Sequence, residues 1–334
     1  YGIQLSVNSI KLLNEIGFNN IDKKEIYNPK KIHFINAKNN EAICDLDISK
    51  FNYSNNKYTT LKRSTLLKFL LKNIPQNKIK FNITLTNLDS GNDIKAHFSD
   101  NSKDNLDFLI IADGVFSQFK SLIYKSNLKP KYNNSVALRG KLSKNYDKNI
   151  SIFMGSNFHY VIYPVNQNNE YNFVAIIKKK LNETDLSNQK IFQSEVFLNS
   201  LKDILIKNSA INFENLSEIK AFPVFVSKGF PAINQKNIFL SGDALFTFPP
   251  SFAQGASQSI ETAQDIFESI VEGSDNLYKN RINIISSINL RSKLNHFVFH
   301  LSNPINIFFR NIFLKYFSKN KRFIEKYLGK IYRS

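Results

Sequence analysis

The chain has 334 residues, 42% of them hydrophobic, and 45 Lys and Arg against 27 Asp and Glu give a formal charge of +18. That length accommodates about two domains with ample core, and 11 Gly with 9 Pro exclude a collagenous or low-complexity chain. The single cysteine, Cys44, excludes a disulfide framework and a thiolate zinc site. No metal is expected, and the setting is read as cytoplasmic.

Tyr1-Gly2-Ile3-Gln4-Leu5-Ser6-Val7-Asn8-Ser9-Ile10-Lys11-Leu12-Leu13 carries apolar residues at helical spacing after a Ser or Asn cap, and Gly17 ends the pattern, so one short helix is predicted. Alternation over 25–60, as in Lys31-Ile32-His33-Phe34-Ile35, predicts strands. A helix with an apolar stripe comes next at about 63–74, then strands at 79–87 and 94–98. The short apolar run in Leu106-Asp107-Phe108-Leu109-Ile110-Ile111-Ala112-Asp113-Gly114, continuous from Phe108 to Ala112 and ending in Asp-Gly, reads as a strand buried on both faces where it emerges into a turn. Between 130 and 225 the pattern changes to alternating strands at 136–142, 150–154, 158–165 and 171–177, with a helix near 190–207. This marks a second, mainly antiparallel domain.

A buried strand returns at Asn237-Ile238-Phe239-Leu240-Ser241-Gly242-Asp243. Pro249-Pro250-Ser251-Phe252-Ala253-Gln254-Gly255 then leads into a long helix from Ala256 to about Glu272. The remainder, 280–332, is helical, aromatic and basic, and no uninterrupted apolar run approaches the roughly 18 residues of a membrane span. The lysines are scattered among asparagines, as an AT-rich coding bias produces, and no nucleic-acid motif is present, so nucleic acid is not an expected partner.

Asp113 and Asp243 each stand at a strand-to-turn junction, and the second junction leads to a helix start with Gly and Ala beside it. Backbone N–H groups there can approach an electron-rich ligand, although Gly-Asp at a strand end is equally an ordinary turn. The full string from Leu240-Ser241-Gly242-Asp243 through Pro249-Pro250 and Ala253-Gln254-Gly255 to Glu261-Thr262-Ala263 resembles the second flavin motif of the single-component aromatic hydroxylases, the para-hydroxybenzoate hydroxylase family. Asp113-Gly114 resembles that family's Asp-Gly motif, and Arg63-Ser64-Thr65-Leu66 its Arg-x-x-Leu helix start. Leu138-Arg139-Gly140 and Tyr163-Pro164 match its substrate-domain sheet. Four positions depart from the pattern: Phe246 and Phe116 stand for histidines, Lys120 for an arginine and Ala253 for a glycine. The opening strand, G-x-G-x-x-G turn and helix are missing, and Tyr1-Gly2-Ile3 looks like the segment just after that unit, so an N-terminally abbreviated chain is expected.

The resemblance implies a discontinuous α/β FAD/NAD(P)-binding domain, residues 1–128 with substrate-domain strands near 25–60 and 76–100, returning at 237–280. An antiparallel substrate domain is inserted at 129–236, and C-terminal helices fill 281–334. It implies FAD, NAD(P)H as co-substrate, and insertion of one oxygen atom from O₂ into an aromatic or similar electron-rich molecule. Arg63, Asp113, Gly114, Gly242, Asp243, Pro250, Ala253, Gln254, Gly255 and Ala256 would hold the cofactor, Asp243 through its hydroxyls and Gln254, Gly255 and Ala256 at the pyrimidine edge. Arg139, His159 and Tyr163 are the candidate substrate residues. His159 is the candidate base, against the commoner structural role of a strand histidine. A same-fold flavin reductase without oxygen insertion and a non-catalytic basic binding protein remain as alternatives. The C-terminal run 297–322, Phe-rich and basic, is read either as a cover for the first domain or as peripheral membrane contact.

Overall fold

The computed structural model describes residues 1–90, 94–120, 128–143, 145–230, 237–329 and 332. Its largest element is a seven-stranded sheet. In order its strands are Leu216–Val226, Lys131–Leu142, Tyr171–Lys178, Phe158–Pro164, Ile150–Gly155, Lys31–Asn36 and Ala42–Asp47. All neighbours are antiparallel except Lys31–Asn36 against Ile150–Gly155, which run parallel.

Side chains alternate across a strand, so the register decides which residues share a face. Arg139 pairs with Val174, His159 with Ile176 and Tyr163 with Asn172. The interleaved set, including Leu138, Tyr160, Phe173 and Ile177, points the other way and packs under the helix Glu195–Asn208 through Phe197, Leu201 and Leu205. One face is therefore core, and the other is left to roof a site.

The expected short helix runs Val7–Glu15 with Ser6 as its cap. Ahead of it Gly2–Leu5 is a strand antiparallel to Thr59–Lys62, which also pairs with Ile26–Tyr27. Close approach fixes this strand: a Cβ at Gly2 would lie 2.6 Å from Val165 and 2.7 Å from Asn172, and the Gly2 N–H donates to Asn172 Oδ1 at 2.5 Å. Gly17, with φ of 93°, supplies the left-handed turn after the helix, as expected.

Leu109–Ile111 and Ile238–Leu240 form a parallel pair, with Tyr278 donating to Leu240 O and accepting from Leu240 N–H. The strands expected near 76–100 to join the substrate sheet instead form, with Lys103–Leu106, a separate antiparallel sheet of Leu85–Ser90, Ile94–Phe98 and Lys103–Leu106. Its apolar face, Leu85, Leu88, Ile94 and Leu106, packs with Ile111 and Ile238 because the residues alternate towards that pair rather than towards the seven-stranded sheet. The helices Gly255–Glu272, Asn276–Phe299 and Pro304–Phe317 complete the chain with the short turn Lys321–Ile324. Among the described residues no helix is long and apolar enough to cross a membrane.

Candidate active site

The two Asp-bearing junctions lie side by side at the C-terminal ends of the parallel pair, the usual ligand position in an open α/β sheet. Above them the free face of the seven-stranded sheet closes a cleft of about 960 Å³. Arg139, His159 and Tyr163 from the sheet and Asp243, Pro250, Ala253, Gln254, Gly255 and Ala256 from the loop all line it. Residues far apart in the sequence thus face one space.

The loop is tightly specified. Pro250 opens a single 3-10 turn that ends at Ala253 with φ of 52°, a left-handed conformation that costs an alanine about 1 kcal/mol and explains why glycine suits this place. Gln254 then caps the helix Gly255–Glu272. Its side chain is 1% exposed, and neither amide atom has a partner among the described residues. A Cβ added to Gly255 would meet nothing within 4 Å, so the helix start is open to the cleft. Ser257 fixes this end by accepting from Ser6 N–H at 2.9 Å and from Ser9 Oγ at 3.0 Å.

Asp243 opens into the cleft, and its carboxylate makes no hydrogen bond or ion pair among the described residues. Crowding by the cleft walls raises its pKa, and Arg63 draws it back down. Arg63 does not itself line the cleft. It starts the helix Arg63–Lys72, with its backbone N–H on Tyr1 O at 2.9 Å. Gly242, Asp113 and Gly114 also stand off the cleft wall. Gly242 has φ of 58°, and its missing side chain leaves room for Ser259 Oγ, which a Cβ would meet at 3.1 Å. The Asp-Gly turn, with Gly114 at φ of 88°, delivers Val115 and Phe116 to the wall instead. Lys120 is buried and donates to Leu245 O at 3.1 Å, tying that turn to the loop after Asp243.

His159 is buried, and its Nδ1 lies 2.8 Å from His300 Nε2. His296 lies against His300, ring centroids 4.2 Å apart and tilted by 57°, and bonds Ser251 Oγ and Ser135 Oγ. Burial pulls the pKa of His159 down to about 3 and of His296 to about 4, and lowers His300 further. A ring held neutral in this way takes up no proton near neutrality, so the geometry gives His159 a hydrogen-bonding place in the wall. Tyr163 is buried and its hydroxyl pKa is raised by burial, which fits packing. Glu261 is pushed up to about 7 by burial, yet it lies off the cleft and is held by Arg281 Nη1 at 2.7 Å.

Past the loop lies a second chamber of about 430 Å³, sharing Gln4, His159, Val161, Pro250 and Ala253 with the cleft. Its wall holds no Lys, Arg, Asp or Glu among the described residues. It is closed by Phe299, Phe317 and Tyr327 from the C-terminal segments against Phe34, Leu46 and Ile152 from the sheet.

No protein-family model matches the sequence. The fold as a whole superimposes on Klebsiella pneumoniae HpxO complexed with FAD and uric acid with a TM-score of 0.77, covering 99% of this chain and 87% of that one at 15% identity. Salicylate hydroxylase in a substrate complex gives a TM-score of 0.77 over 100% and 88% of the two chains at 14% identity. This is the fold of the FAD-dependent aromatic hydroxylases. In sequence, the chain is 23% identical over 272 residues to 6-hydroxynicotinate 3-monooxygenase of Bordetella bronchiseptica, spanning 78% of this chain and 70% of that protein. Within the hydroxylase fold, sequence reasoning missed Gln4 and Asn172, which line the cleft, and the partnership of His159 with His296 and His300. Gln4 stands in a four-residue segment ahead of the helix cap, too short for a pattern of its own. The two C-terminal histidines sit in a Phe-rich run more than 130 residues from His159, where only their helical spacing of four marked them.

Proposed function

We propose that this chain is an FAD-dependent monooxygenase that uses NAD(P)H and O₂ to hydroxylate a small, uncharged aromatic or similarly electron-rich molecule. The observation that supports the cofactor is Gln254, a buried amide facing the cleft with no protein partner on either atom among the described residues, because a polar group so placed is available to a ligand that enters the cleft. Asp243 would accept from hydroxyls of FAD, with Arg63 offsetting its charge. The N–H groups of Gly255 and Ala256 would meet the electron-rich edge of the ring, and Pro250 would wall one side. Bound FAD supplies the redox chemistry, accepting a hydride from NAD(P)H and enabling transfer of an oxygen atom from O₂.

The chain's own residues orient the partners and exclude water. The chamber beyond Pro250 supports a neutral substrate, since a carboxylate buried there would find no cation. Gln4, Tyr58 and His159 are among the polar groups that would orient it, with Tyr58 already donating to Gln4 Oε1 at 2.8 Å. Uric acid with HpxO and the substrate of salicylate hydroxylase support a small-molecule ligand. A cytoplasmic enzyme that meets a membrane through its C-terminal helices fits an apolar substrate.

The test is the visible spectrum of the purified chain after incubation with FAD and desalting, followed by NADH- and NADPH-driven O₂ uptake. Retained flavin is expected, with Asp243→Ala weakening FAD binding about 10- to 100-fold through loss of a charge-assisted hydrogen bond. Flavin turnover without O₂ consumption would leave a reductase. Absence of flavin would overturn the enzyme reading in favour of a binding protein.

A further inference from the structure

We propose that the outward face of the helix Pro304–Phe317 docks on an anionic lipid bilayer. Ile305, Phe308, Phe309, Ile312, Phe313 and Tyr316 recur at helical spacing and share one face. A water-facing helix buries such a stripe, yet here the stripe is outside: Phe308 is 60%, Phe309 62% and Tyr316 64% exposed. The inward side carries Leu314 and Phe317 together with a buried Arg310, 6% exposed, whose pKa burial pulls down to about 10. The helix is thus apolar on both sides, and the protein covers only the inner one. Leu290, Leu294 and Phe297, all exposed, carry the patch onto the neighbouring helix, which it meets where Leu294 and Phe313 wall the same chamber.

Charge chooses the occupant. Residues 276–324 contain nine Lys and Arg and no Asp or Glu. Lys315, Lys319, Lys321 and Arg322 are exposed at the end of the stripe, and none of them makes an ion pair among the described residues. A second copy joined across a two-fold axis would set these cations against their own images. Lipid phosphates would neutralise them while the aromatic side chains enter the headgroup and acyl boundary. The chamber's outer wall belongs to this face, so an apolar substrate would reach the loop from the bilayer. That consequence rests on the monooxygenase reading, whereas the docking does not.

The experiment is flotation of the full chain, with and without FAD, on vesicles of phosphatidylcholine alone and of equal parts phosphatidylcholine and phosphatidylglycerol. The chain is expected to float with the anionic vesicles about tenfold more than with the neutral ones, and to be released by salt. Phe308→Ser/Phe309→Ser/Phe313→Ser should lose binding to both. Lys315→Gln/Lys319→Gln/Lys321→Gln/Arg322→Gln should lower anionic binding about tenfold or more, with melting unchanged because all these side chains are exposed. A chain that stays soluble with both vesicles overturns the proposal. So does a dimer in light scattering that the Phe variant splits, which would assign the face to a second copy. A chain that floats but never holds flavin keeps the docking and removes the monooxygenase.

Discussion

His159, His296 and His300 show how position in the fold changes what a residue does. In the sequence His159 is a base candidate because imidazole titrates near neutrality. In the structure it is buried against His300, and both are held neutral. Their folded pKa values lie below the unfolded value of 6.5, so the unfolded chain binds more protons as pH falls. Stability is therefore complete above about pH 6.5 and is lost on acidification, by about 1.4 kcal/mol per pH unit for each fully buried ring. Urea midpoints should drop between about pH 7 and pH 5, a window above most carboxylate titrations, and His300→Asn should shrink that drop. A midpoint that stays flat would show that these rings are not buried neutral.

At the scale of elements, the start of the helix Gly255–Glu272 is the part the site depends on, and two other helices hold it. Ser257 anchors it to the first helix, while Arg281 on the helix Asn276–Phe299 reaches Glu261 at 2.7 Å and Asp265 at 2.5 Å. Such a buried cluster is costly to break and cheaper to replace. Arg281→Met should destabilise the protein by about 3–5 kcal/mol, and adding Glu261→Leu should restore much of that, as read from chemical denaturation of the single and double variants. Equal loss in both variants would show that the guanidinium acts by packing alone. Four strands of the seven-stranded sheet between 130 and 180 were legible from alternation, and His159 and Tyr163, four positions apart, fall on one face by count, whereas Arg139 joins that face only through the register. The strands Leu216–Val226 and Gly2–Leu5 were not; for the second, four residues ahead of a helix cap give no local sign of the neighbour, Asn172, that fixes them.

For the whole molecule, the cofactor-side cleft and the apolar chamber meet at the loop around Pro250, so ligand binding and stability are coupled. FAD at about 100 times its Kd should stabilise the chain by about 2.7 kcal/mol, seen as a rise in melting temperature that Asp243→Ala reduces at the same concentration. No rise with FAD would mean that the cleft does not take the cofactor. The sequence by itself determined the alternation of strands, the Gly-Asp and Pro-Pro loop, and the resemblance that makes Asp243 and Gln254 candidates for a flavin site, because these are written in short spans where backbone geometry demands particular residues. Only the tertiary structure decided that Asp113 and Arg63 stand off the cleft wall, that three histidines separated by up to 141 positions come together, and that the Phe stripe of Pro304–Phe317 faces outward. Periodicity reveals that a helix has an apolar face, but which way that face turns is settled by what else competes for the core. Here the inner place went to Leu314, Phe317 and Arg310, and the second apolar stripe, from Ile305 to Tyr316, was left at the surface.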